Sequence, residues 1–220
     1  VKSSTVVIGV ACASLAVFVF LLAEVTHFGR LWWLDRSVNE IMSRQSAWIV
    51  LLSRGLHYLF SAISLILISI ILALVLWRRI GRRRAVLIAG PMLLGAGVNQ
   101  LVKLLVARPR PVNAMIALSD SAFPSGHTSA TAIFFGIMCM VLLPRLTPGL
   151  PRAVMISASA FLVALVGFSR LALHVHWLTD VLAGLALGGT VISIGLLVQG
   201  FFPPARPVKA SSGRKPPGRR

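Results

Sequence analysis

Six stretches of almost unbroken apolar residues recur along this chain, at about 5–23, 56–77, 85–106, 127–143, 153–168 and 180–202. Each comes close to the ~20 residues a helix needs to cross a hydrocarbon core. Within such a core every backbone N–H and C=O has to be satisfied inside its own segment, which leaves helices as the solution for runs of this kind. The chain is therefore predicted to be all-α, a six-transmembrane-helix bundle. Its 57% hydrophobic content and mean hydropathy of +0.88 lie far above those of a soluble domain. The stretch 24–54 has a different texture, with Trp32, Trp33 and Trp48 set among charged residues. Tryptophan favours the membrane–water boundary, so short interfacial helices are expected between the first and second spans.

The first run, with only Lys2 ahead of it, exceeds the ~7–15-residue apolar core of a secretory signal and reads as an uncleaved span. Gly90, Pro91, Gly95 and Gly97 inside the third run suit a span whose neighbours approach closely. Cys12 and Cys139 both fall inside apolar runs, where a thiol behaves as a small hydrophobe. One domain is expected over 1–202, with no repeat. Residues 203–220 have the Pro/Gly/Ser/Lys/Arg composition of a disordered tail.

Charge narrows the partners. Twenty-two Lys and Arg stand against five acids, Glu24, Asp35, Glu40, Asp120 and Asp180, for a formal charge of +17. A nucleic-acid binder spreads such charge over a polar face. Here the basic residues punctuate apolar runs, which argues against nucleic acid and for anionic membrane lipids. Fourteen of the 22 fall on the face that would carry both termini, counting Lys2, the arginines of 78–84, Arg145, Arg152 and the tail. By the positive-inside rule that face, with its basic tail, is expected to be cytoplasmic. The loops 107–126 and 169–180 would then emerge on the outer side, as in an enzyme of the bacterial inner (plasma) membrane.

Ionisable groups at membrane depth cost ~2.5–3.5 kcal/mol each at a helix centre, so those that persist are functional candidates. Three clusters qualify, all on that outer face. They are Lys103 with Arg110 and Pro111, then Pro124-Ser125-Gly126-His127, and Ser169-Arg170 with His176 and Asp180. Arginine's planar fork suits phosphate oxygens, and lysine adds a point charge. The Pro-Ser-Gly-His turn opens a helix, where the N–H groups of Gly126 and His127 can meet an anion and Ser125 adds a hydroxyl. His176 and Asp180, four apart, would share a helix face, so the carboxylate can fix the ring tautomer and leave the other nitrogen to attack phosphorus. His127 can protonate the departing oxygen. Only Asp120 and Asp180 lie beyond position 40 among the acids, too few for a Mg²⁺ site. Neither a metal nor another cofactor is expected.

Lys103–x6–Arg110-Pro111, Pro124-Ser125-Gly126-His127 and Ser169-Arg170–x5–His176–x3–Asp180 resemble the three signature motifs of the type 2 phosphatidic acid phosphatase superfamily. Glucose-6-phosphatase and the vanadium haloperoxidases belong to the same group. All eleven motif positions match by identity and in order. The resemblance implies His176 as nucleophile, Asp180 as its partner and His127 as acid. It also implies Lys103, Arg110, Ser125, Gly126 and Arg170 as the phosphate holders, in a six-helix bundle. Arg108 and His174 miss the motif offsets, and Arg108 is expected to contact headgroups. His27 and His57 read as interfacial histidines. Asp120 could orient a basic group, but nothing in the sequence specifies it.

The implied activity is metal-independent hydrolysis of a lipid phosphomonoester or diphosphate through a phosphohistidine. Polyprenyl diphosphates such as undecaprenyl diphosphate, phosphatidic acid and phosphatidylglycerol phosphate are all admissible substrates. Lipid-to-lipid phosphotransfer is the nearest alternative, since water and an acceptor hydroxyl compete for the same intermediate. A haloperoxidase would resemble larger soluble proteins. A lipid transporter would need charges along several spans in both leaflets, whereas these gather at one face.

Overall fold

A computed structural model describes residues 2–200. Among them are eight α-helices and no strand: α1 (Lys2–Ala23), α2 (Trp32–Met42), α3 (Ala47–Leu59), α4 (Ala62–Ile80), α5 (Arg82–Val106), α6 (Gly126–Leu142), α7 (Leu150–Ala172) and α8 (Leu178–Gly200). The expected tail and the last residues of the sixth apolar run lie outside the described residues. Five helical stretches are long and apolar enough to cross a membrane, and α3 with α4 makes a sixth if that bent pair counts as one span. The chain is an integral membrane protein, all-helical among the described residues.

Two span boundaries differ from the sequence expectation. The second apolar run, 56–77, is not one helix, because α3 and α4 meet at a 42° bend. Ser61 causes the break locally: its hydroxyl accepts the Ser64 N–H at 3.1 Å, an N-cap that starts a new helix. The fifth run is longer than 153–168 at both ends. Pro151 suits the first turn of α7, and the polar pair Ser169 and Arg170 continues its last turn. Ser169 can do so because its hydroxyl bonds back to the Val166 carbonyl at 2.7 Å.

Helix α8 is central, with α1 and α6 packed on it, while α7 lies on α6 and α3 on α7. The interior is built from Phe18, Leu65, Ile88, Met92, Phe123, Ile133, Ile137 and Leu187, all buried. Leu51, Leu105 and Phe161 are exposed, as apolar side chains are on a surface that meets lipid. Apolar burial adds little drive between helices in lipid, so close packing of small residues has to hold them. The α6–α8 seam shows this. A Cβ on Gly184 would lie 2.7 Å from the Ser125 carbonyl oxygen, and one on Gly188 2.6 Å from the Ala132 Cβ. That close approach lets the Ser125 N–H reach the Asp180 carbonyl at 3.0 Å, which ties the start of α6 to the start of α8.

Candidate active site

The end of α5, the start of α6, the end of α7 and the start of α8 meet at one end of the bundle, with the 107–125 loop laid between them. Lys103, on the last turn of α5, is buried. Its Nζ donates to Asp120 Oδ2 and to the Ser121 carbonyl, both at 2.6 Å. Arg110, on the loop, gives Nη2 to Asp120 Oδ1 at 2.6 Å and Nη1 to the Val175 carbonyl. The same Nη1 lies 3.4 Å from His176 Nε2. Partial burial pushes against ionisation of Asp120, but hydrogen bonds and charge from Lys103 and Arg110 prevail and draw its pKa down to about 2.

His176 sits just ahead of α8. Its Nδ1 donates to the Ala122 carbonyl at 2.7 Å, which leaves the Nε2 lone pair toward Arg110. Burial first, then the charges of Arg110, Lys103 and Arg170, hold its pKa well below the ordinary histidine value, so the ring is neutral at neutral pH. The expected hydrogen bond from His176 to Asp180 is not the one found. Asp180 Oδ2 is 3.5 Å from Nδ1 and accepts the Trp177 N–H at 2.8 Å instead. The reason is geometric: α8 begins at Leu178, so the four-residue spacing is only partly helical.

Asp180 has another partner. Its Oδ1 accepts from Arg108 Nη1, while Arg108 Nη2 donates to Asp35 Oδ2 at 2.6 Å. Asp35, on α2, also accepts the Thr179 N–H at 2.9 Å and the Thr179 hydroxyl at 2.7 Å. Arg108 was expected to contact headgroups; it is instead the buried centre of an Asp35–Arg108–Asp180 ion cluster. Isolated charges are too costly to bury, and the two carboxylates supply what makes its burial possible.

His57 also departs from expectation, because the end of α3 leans over the site. Its ring stacks on His127, with centroids 4.7 Å apart, and its carbonyl accepts from His127 Nε2 at 3.2 Å. Arg170, fully buried, donates Nη1 to His57 Nδ1 at 2.8 Å and Nη2 to the Ser169 hydroxyl at 2.9 Å. Ser125 is buried as well, its hydroxyl 3.0 Å from that of Thr128. His174 belongs elsewhere: its Nδ1 meets Asn39 Oδ1 at 2.6 Å and Asn113 Nδ2 at 3.0 Å. Burial lowers its pKa too.

Between α4, α5 and α6 a cavity of about 300 Å³ joins these groups. Its polar end is formed by Lys103, Arg110, Asp120, His127 and His176, with Asn99 and Gln100 beside them. Its other end is apolar, lined by Ile63, Ile66, Met92 and Ile133. Of the eight residues singled out in the sequence, Lys103, Arg110, Gly126, His127 and His176 line this space. Ser125, Arg170 and Asp180 stand behind its walls. The cavity thus combines two cations, the first N–H groups of α6 and two imidazoles with an apolar channel, a set suited to an amphiphile with an anionic head.

Read from the sequence alone, Asp35 carries no role, Arg108 is a headgroup contact, His57 is an interfacial histidine and Asp120 is unspecified. One signal was available. In a chain with only five acids, each acid is a scarce counter-charge, and Asp35, Asp120 and Asp180 all prove to be ion-paired.

The family model for the PAP2 superfamily matches residues 84–202, which hold every one of the three motifs. The chain belongs to the PAP2 superfamily. Among PAP2 and related proteins, phosphatidylglycerophosphatase B of Bacillus subtilis is 35% identical over 106 residues, 47% of this chain and 51% of that protein. The decaprenylphosphoryl-5-phosphoribose phosphatase of Mycobacterium tuberculosis is 35% identical over 149 residues, 64% of this chain and 76% of that protein. The chain spans about half the length of two of the curated relatives it matches. A crystal structure of a transmembrane PAP2-type phosphatidylglycerolphosphate phosphatase from Bacillus subtilis superposes with a TM-score of 0.72 at 25% identity. It covers 87% of this chain and 94% of that one.

Proposed function

We propose that this chain is a lipid phosphatase that hydrolyses a phosphomonoester or diphosphate of a membrane lipid through a phosphohistidine, without metal. The observation that carries this reading is a cavity whose polar end holds Lys103, Arg110, His127 and His176 and whose other end is apolar. The phosphate would lie on Lys103, Arg110 and the opening N–H groups of α6, with its acyl or prenyl chain between α4, α5 and α6. Two relatives support a lipid substrate by name, one for phosphatidylglycerophosphate and one for a decaprenylphosphoryl phosphoribose. Polyprenyl diphosphates, phosphatidic acid and phosphatidylglycerol phosphate all fit the same description.

The step itself balances simply. The His176 Nε2 lone pair forms the N–P bond while the bond from phosphorus to the lipid oxygen breaks, and His127 passes a proton to that oxygen. To act as acid, His127 must carry protons on both ring nitrogens, one held by the His57 carbonyl and one for the leaving group. Water then attacks the phosphohistidine, His127 takes its proton, and inorganic phosphate leaves. Lys103 and Arg110 stabilise the charge spread over the non-reacting oxygens throughout. Among the described residues no three His, Cys, Asp or Glu side chains group as candidate metal ligands.

The test is phosphate release from detergent-solubilised protein on a panel of phosphatidic acid, phosphatidylglycerol phosphate, a polyprenyl diphosphate and a soluble sugar phosphate. Release is expected from lipids, unaffected by excess EDTA and suppressed by orthovanadate, which mimics five-coordinate phosphorus. A clear preference for the sugar phosphate, or activity lost to EDTA and restored by Mg²⁺, would overturn the proposal.

His127 has a separate signature. Removing a general acid costs ~10²–10⁴ in rate, but only where the leaving group needs the proton. His127→Ala is therefore expected to lose most activity on a lipid alkyl phosphate and much less on p-nitrophenyl phosphate. Equal losses on the two substrates would take the acid role away from His127.

A further inference from the structure

We infer that Asp120 is a built-in counter-anion that occupies Lys103 and Arg110 between turnovers, is displaced by incoming phosphate, and limits how tightly the product is held. This rests on the reading above that phosphate lies on those two cations.

The geometry is that of a placeholder. Each carboxylate oxygen of Asp120 takes one cation, Oδ2 on Lys103 Nζ and Oδ1 on Arg110 Nη2, both at 2.6 Å. Two oxygens of a tetrahedral phosphate would present the same pair of acceptors. Among the described residues, both ion pairs of these cations run to Asp120; Asp35 and Asp180 are already committed to Arg108. Lys103 and Arg110 are nearly enclosed, and cations so placed need a partner when no substrate is bound. Asp120 differs from them in being 46% exposed, and it lies on the loop between α5 and α6, not on a helix. It can therefore move toward solvent while Lys103 and Arg110 stay fixed. It also lines the cavity beside His127 and His176.

The physical consequence is competition. If Asp120 stays while a dianion binds, like charges face each other across two shared cations; if it leaves, the ion pairs it made are lost. Either way phosphate is held less tightly than by the cations alone. A purely structural role, in which Asp120 aims the two cations at the substrate, gives the opposite expectation, because loss of aim weakens binding.

The experiment compares inhibition by inorganic phosphate and by orthovanadate, and KM for one lipid substrate, in the wild-type protein and in Asp120→Asn and Asp120→Ser. Both neutral variants are expected to bind phosphate and vanadate roughly tenfold more tightly or better, in line with the cost of opposed like charges. KM is expected to fall, and kcat to fall with it as product release slows. A damaged site binds anions less well, so structural loss cannot imitate this tightening. Inhibition constants that stay unchanged or rise, with the wild type inhibited normally, overturn the role of Asp120 alone. A wild-type protein indifferent to both anions overturns the phosphate site itself, and the role of Asp120 with it.

Discussion

His176→Ala is expected to abolish turnover on every substrate, by roughly 10⁴-fold or more, because in the proposed mechanism it removes the atom that accepts the phosphoryl group. The effect differs in kind from that proposed for His127→Ala, which would remove only a proton donor. With a ³²P-labelled substrate and a quench that avoids acid, the wild-type protein is expected to retain label on the chain and His176→Ala none. The structure explains why this nitrogen is the available one. Nδ1 is taken by the Ala122 carbonyl, so the ring is held as a neutral tautomer with Nε2 open to the cavity, and burial with the neighbouring cations keeps it unprotonated. Label surviving on the His176→Ala protein would transfer the nucleophile to another residue.

The second large effect is on folding. Arg108→Ala leaves Asp35 and Asp180, both fully enclosed, without their cation. Removing one partner of a buried ion pair costs about 3–5 kcal/mol, because the remaining charge stays desolvated. Unfolding of the detergent-solubilised protein is expected at a markedly lower temperature for Arg108→Ala. Part of that loss is expected to return when Asp35→Asn is added, since one of the two stranded charges is then gone. Stability within about 1 kcal/mol of wild type would show that the cluster contributes little.

Much of this molecule is legible in its sequence because two physical rules act on it strongly. Hydrocarbon requires long apolar helices, and the runs 85–106, 127–143 and 180–202 match α5, α6 and α8 closely for that reason. The same solvent makes each interior charge expensive, so Lys103, His127 and His176 stand out against their surroundings. What stayed hidden depends on contacts between distant residues. Ser61 looks like any serine until it caps α4 and swings α3 back over α7. That bend brings His57 onto His127 and Arg170, so a residue resembling an interfacial histidine packs against the candidate site. Arg108 and Arg110 are alike in sequence, each followed by proline, yet one faces the cavity and the other serves a buried cluster. Their difference is set by Asp120 on one side and Asp35 on the other, at separations no local pattern reports.

The cluster around Arg108 also bears on where the working unit of this protein begins. The match to the family model starts at residue 84, and all three motifs lie after it. Asp35, however, comes from well before that point, and it holds Arg108 and both polar hydrogens of Thr179 at the threshold of α8. His57 and Ser53, also upstream, hold Arg170. The motif-bearing segment is therefore not a transplantable cassette. Its candidate site is completed by side chains from the half of the chain in which no motif is found, and any fragment, chimera or swap drawn at the edge of the family-model match cuts through that scaffolding.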